Sequence, residues 1–136
     1  MIDQDLKRRI HEKVEEGEFG AADIPEYLGL LAQIGSETQD VQDEVAGWDR
    51  RIQFRFDGAE DAWITVGDGA FSHGSGSVDA PDLVLSIAAA TAAQLFAGER
   101  DAKAAFMAGQ LKIEGKIPDA LKFQDILTIV NEEIEY

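Results

Sequence analysis

His11 and His73 are the two imidazoles in this chain, and no cysteine stands beside them. Nucleophilic or metal-assisted chemistry would have to be built on these two residues. His11 sits in a charged stretch, Lys7-Arg8-Arg9-Ile10-His11-Glu12-Lys13. His73 follows Ser72 in a segment that alternates like a strand, where adjacent side chains point to opposite faces and do not form a nucleophile-base pair. Two distant histidines without a thiolate do not make a zinc set, and the acidic residues lack calcium-loop spacing. Gly69 and Gly74 bracket four residues as in a phosphate loop, but Ser75-Gly76 follows where that loop needs a lysine. The large apolar residues Phe54, Trp63, Phe71, Phe96, Phe106, Met107, Phe123, Ile126, Leu127 and Val130 each read, taken alone, as ordinary core in a small protein.

Those residues need elements to hold them. Leu6, Ile10 and Val14 recur every fourth residue, which predicts an amphipathic helix closed by Gly17. Asp23 stands as a helix cap with Glu26 as its capping-box partner and Pro25 in the first turn, ahead of the stripe Ile24, Tyr27, Leu28 and Leu31. Val41 and Val45 mark a third helix between Ser36 and Val45. The period then switches to two at Arg51-Ile52-Gln53-Phe54-Arg55-Phe56, a half-buried strand. Asp57-Gly58 and Gly67-Asp68-Gly69 are turn chemistry, so 63–66 and 70–73 complete an antiparallel meander. Residues 83–87 make a fourth strand. Thr91 is placed to cap a helix over 92–97, and Asp101 opens another that Gly109 ends. A fifth strand covers 111–114. Pro118 starts a last helix whose stripe is Phe123, Ile126, Leu127, Val130 and Ile134, widened by Leu121 and Ile129. This order predicts an α+β domain: a five-stranded, mainly antiparallel twisted sheet covered by helices.

Two stretches carry a resemblance. Pro81-Asp82-Leu83-Val84-Leu85-Ser86-Ile87 is followed by Ala104-Ala105-Phe106-Met107-Ala108-Gly109-Gln110-Leu111-Lys112-Ile113-Glu114-Gly115. In that order they resemble the sterol carrier protein type-2 family, from about Trp48 onward. The resemblance implies a core lipid-binding fold over 48–136, with residues 1–47 as an N-terminal helical extension that covers it within a single domain. It also implies a non-catalytic carrier whose sheet and last helix enclose an apolar tunnel for a fatty acyl, isoprenoid or sterol-like lipid, lined by residues of the apolar set above together with Ala108. Movement of the terminal helix would admit the ligand. The alternative is an accessory protein with a filled core that binds an enzyme partner. A hydrolase is disfavoured by the absence of a nucleophile-base constellation.

With 27 acidic and 12 basic residues the net charge is −15, which opposes docking on nucleic acid or anionic lipid headgroups. The acidity reads either as a solubilising coat or as adaptation to a saline cytoplasm. No apolar run approaches the ~20 residues that span a bilayer, so stable membrane insertion is not expected. An acidic N-terminus without a signal core and a Glu-Ile-Glu-Tyr end without the peroxisomal tripeptide make the cytoplasm the expected compartment. No cofactor is implied, and the partner expected is a hydrophobic small molecule.

Overall fold

A computed structural model describes all of residues 1–136. Helix α1 (Gln4–Glu15) is followed by a short 3-10 turn (Ala21–Asp23), then α2 (Ile24–Glu37) and α3 (Gln39–Glu44). The sheet begins with β1 (Arg50–Asp57), β2 (Ala62–Gly67) and β3 (Ala70–Ser75). Next come β4 (Leu83–Ala88), α4 (Ala89–Phe96), α5 (Ala102–Met107), β5 (Leu111–Gly115) and α6 (Ile117–Ile134). The strand order is β3-β2-β1-β4-β5, and β1–β4 is the one parallel pair. The fold is thus α+β with a mainly antiparallel five-stranded sheet and N-terminal helices.

One face of the sheet carries the core. Ile52, Phe54 and Phe56 of β1 register with Leu83, Leu85 and Ile87 of β4 and, toward β2, with Ile64 and Ala62. The helices pack on this face, and α1, α2, α3 and α6 share a single apolar cluster with the strands. Asp68 and Gly69, both at positive φ, make the two-residue hairpin between β2 and β3.

The two sequence stretches meet in space. Asp82 fixes the parallel pair: the Arg51 N–H donates to its Oδ2 at 2.9 Å, while the Asp82 N–H donates to the Arg51 carbonyl at 2.8 Å. Gly115 lies opposite Leu83 at the end of the β4–β5 ladder, at φ +125°. A Cβ there would sit 2.5 Å from the Asp82 carbonyl oxygen, so only glycine lets β5 close against this corner. The crossover from β3 to β4 passes under the other sheet face. Buried Gln53 ties it down, donating to Gly76 O and accepting from Val78 N–H.

Two helix starts differ from expectation. Asp23 does not cap α2; its carboxylate turns back to the Gly20 N–H and Lys13, and Glu26 pairs with Arg9 instead. Thr91 does not cap α4, because an alanine run with high helix propensity starts the helix at Ala89, three residues before the expected start at Ala92. Asp101 does cap α5, accepting from the Lys103 N–H.

Candidate functional site

A cavity of about 410 Å³ opens between the sheet and helices α4, α5 and α6. That size is within the ~300–1,000 Å³ usual for small-molecule sites. Sixteen of its eighteen lining residues are hydrophobic, so its interior offers hydrocarbon contact and little hydrogen bonding. Alternation in the strands supplies the floor: Leu85 and Ile87 of β4 stand across from Ile113 and Leu111 of β5, with Phe54 beside them on β1. Ala92, Leu95 and Phe96 come from α4, and Ala102, Lys103, Phe106 and Met107 from α5. Helix α6 adds Ile117, Ala120, Leu121, Phe123, Gln124 and Leu127.

Aromatic rings close the inner end. Phe54 meets Phe123 at 5.7 Å between centroids and Phe96 edge-on at 6.0 Å. Phe96 in turn stacks on Tyr27 at 4.8 Å. The outer end is apolar too: Met107 is 77% exposed, Leu121 55%, Ile117 47% and Phe106 45%. These four are the large exposed hydrophobic side chains apart from Met1, and all four line this one opening. Large apolar groups left in water around a concave site are the usual mark of a surface that meets something apolar.

Polar contacts outside the cavity hold α6 in place. Near its start, buried Asp119 accepts from Trp48 Nε1 and Arg50 Nε, each at 2.9 Å. Burial alone would raise the Asp119 pKa, but the hydrogen bonds from Arg50 and Trp48 outweigh it and hold the carboxyl below its ordinary range. Near its end, Asn131 Oδ1 accepts from Tyr27 Oη at 2.7 Å, while Tyr136, whose Oη lies 3.1 Å from the same oxygen, gives its one proton to the Phe96 carbonyl. Burial pushes the Tyr27 hydroxyl well above the ordinary phenol value, with a further push from Tyr136, so it stays a donor. His11 Nδ1 donates to the Ile134 carbonyl at 2.9 Å, which gives that histidine a bracing contact.

Of the apolar residues singled out from sequence, the cavity brings together Phe54, Phe96, Phe106, Met107, Phe123 and Leu127. Five stand elsewhere. Trp63 is on the opposite sheet face, packed over Gly74, because the pairing of Ile64 with Ile52 turns its neighbour outward. Phe71 is on the helical face but at the far edge, against Gly35 of α2. Ile126 and Val130 are fully buried in the shared core, and Ala108 is exposed at the end of α5. The lining from β4 and β5 was missed, although Leu85, Ile87, Leu111 and Ile113 alternate in step and that period was the available signal. Ser72 and His73 point to opposite faces: Ser72 lies among open-face residues and His73 beside α2. No helix is long and apolar enough to cross a membrane.

The family model described as the SCP-2 sterol transfer family matches residues 30–128. Among curated proteins, a rat hydroxysteroid dehydrogenase-like protein 2 is 36% identical over 66 residues, covering 48% of this chain and 12% of that protein. The chain therefore spans about an eighth of the length of the curated relatives it matches. Among solved structures, apo sterol carrier protein 2 from Yarrowia lipolytica superposes with a TM-score of 0.59 at 19% identity, covering 76% of this chain and 86% of that one. A structure titled UbiJ-SCP2 ubiquinone synthesis protein superposes with a TM-score of 0.61 at 14% identity, covering 81% and 94%.

Proposed function

The chain belongs to the SCP-2 sterol transfer family, and from that premise we propose that it is a non-catalytic carrier that takes a hydrophobic small molecule into the cavity between the sheet, α5 and α6. The observation that carries this reading is the coincidence of an almost wholly apolar, ligand-sized cavity with a rim of exposed Phe106, Met107, Ile117 and Leu121. Hydrocarbon removed from water there contributes about 25 cal/mol per Å², so a lipid tail would bind without specific polar contacts. Phe54, Phe96, Phe106, Met107, Phe123 and Leu127 are the binding residues in this reading, joined by the β4–β5 floor.

A second reading, an accessory protein whose helical side binds an enzyme, draws support from the shared fold with a protein titled for ubiquinone synthesis. The two differ in what the cavity holds. Native mass spectrometry of the purified protein, then organic extraction and lipid identification, is expected to show one bound lipid per chain. Titration of the delipidated protein with a fluorescent fatty acid is expected to saturate at one site. A chain that carries no lipid and takes up no probe would leave the accessory reading in its place.

A further inference from the structure

A second cavity, of about 440 Å³, lies between the 3-10 turn, the start of α2 and the end of the sheet where β1 turns into β2. It shares no lining residue with the first. Phe56 lines it, and its ring is parallel to that of Phe54 at 5.7 Å, so the stacked pair stands between the two spaces. The second space differs in chemistry. Ile24, Pro25 and Leu28 of α2 give it an apolar floor together with Phe56 and Ala62 of the sheet. Its polar side chains are Glu60, Asp61, His73 and Ser75, and none of its thirteen lining residues is a lysine or arginine.

The two carboxylates are without a cation. The ion pairs of the protein engage other acids, and Glu60 and Asp61 take part in none of them. Asp61 is nonetheless fixed: its Oδ1 accepts the Phe56 N–H at 3.0 Å and its carbonyl accepts the Gly76 N–H at 2.7 Å, which leaves Oδ2 unbonded. Ser75 is registered with Ala62, the neighbour of Asp61, and His73, two residues earlier on β3, points to the same side as Ser75. The His73 ring rests against α2 at Gly29, while the hydrogen-bonded imidazole of the protein is that of His11.

We infer that this cavity is a second binding site, for a small organic cation whose ammonium group meets Glu60 and Asp61 and whose apolar body lies on Ile24, Leu28 and Phe56. The size is within the ~300–1,000 Å³ usual for such sites. An anion would meet two carboxylates and no counter-charge. A neutral apolar molecule would strip water from both carboxylates and give no hydrogen bond in return. A bare metal ion gains nothing from the floor, and no three His, Asp or Glu side chains converge to hold one. Charge-assisted hydrogen bonds favour an ammonium over a hydroxyl of the same shape by about tenfold at a partly exposed carboxylate pair. The inference does not depend on the carrier reading, since a chain that takes up no lipid would still have this cavity.

The test is backbone-amide NMR of the protein titrated with phenethylamine, with phenethyl alcohol and with hydrocinnamate. The amine is expected to shift amides of residues 21–25, 59–62 and 73–75 to saturation, the alcohol to shift the same amides about tenfold more weakly, and the anion to leave them in place. Combining Glu60→Gln with Asp61→Asn, which keeps an acceptor for the Phe56 N–H, should lower the affinity for the amine to that for the alcohol and leave the alcohol unaffected. Thermal unfolding checks that this variant is folded, and Glu60→Gln alone, at an exposed position, serves if it is not. The inference is overturned by amine and alcohol binding alike, by amine shifts confined to the lining of the first cavity, by the absence of a saturable shift, or by an unchanged amine affinity in the folded variant.

Discussion

Helices α5 and α6 wall the same cavity but are held in opposite ways. The eighteen residues of α6 are tied at both ends: Asp119 to Trp48 and Arg50, Asn131 to Tyr27, and the Ile134 carbonyl to His11. Lys122 adds a bond to the Glu44 carbonyl. The six residues of α5 bury one side chain, Ala105, and present Phe106 and Met107 to solvent. Left-handed glycines flank it, Gly98 before and Gly109 after. Local opening is cheapest where few apolar contacts and few buried hydrogen bonds must break. In the carrier reading the ligand would then be admitted at α5, with α6 as the fixed wall, where the resemblance implies movement of the terminal helix.

The largest effect is expected from removing the anchors of α6 wholesale. Deleting residues 1–47 takes away Tyr27 and His11 together with Leu28, Leu31 and Ile34 of the shared core. The remaining chain should show no cooperative unfolding transition by calorimetry. A folded, cooperative fragment would show that the N-terminal helices are separable from the lipid-binding part.

Asp119→Ala comes next, with an expected loss of about 3 kcal/mol, because it leaves the Trp48 indole N–H and the Arg50 guanidinium without their acceptor. Denaturant midpoints measure it. The Asp119 pKa lies below its ordinary value of 3.8 in the folded protein, so this stabilisation is complete above that pH and disappears as pH falls through the folded-state pKa. The gap between wild type and variant should therefore be constant near neutrality and close only in acid below about pH 4. A gap that changes between pH 6 and 8 would contradict the assignment to this carboxylate.

Tyr27→Phe should cost about 1 kcal/mol, since one hydrogen bond to Asn131 is lost and the Tyr136 hydroxyl, 3.1 Å away, is within reach of the freed oxygen. The smallest stability effect belongs to α5. Met107→Ser should shift stability by no more than about 0.5 kcal/mol, as for other exposed positions, yet lower the affinity for a fatty acid probe several-fold. Equal stability losses at Met107 and Tyr27 would erase the contrast between the two walls.

Much of the fold was legible in local pattern. The alternation of Arg51 to Phe56, the Asp68-Gly69 turn and the α6 stripe each follow from one short window of sequence. The site was less so, because it depends on which strands lie beneath which helices. Placing β4 beside β1 rather than after β3 puts Phe54, Leu85 and Ile113 under α5 and α6 and leaves Phe71 at the other edge under α2. Trp63 and Ile64 both read as core, and only the register with Ile52 decides which of them faces inward. Asp23 shows the same limit at a helix end, since Lys13, ten residues upstream, draws its carboxylate away from the cap position.

Hydrogen–deuterium exchange of the delipidated protein, with and without a saturating fatty acid, tests the proposed lipid site and the proposed opening at α5 in one measurement. Before ligand is added, amides of α5 should exchange faster than those of α6. On binding, protection should rise in peptides covering 102–113 and change little in the already protected second half of α6. Protection confined to β2 and β3, or exchange in α6 as fast as in α5, would contradict the account.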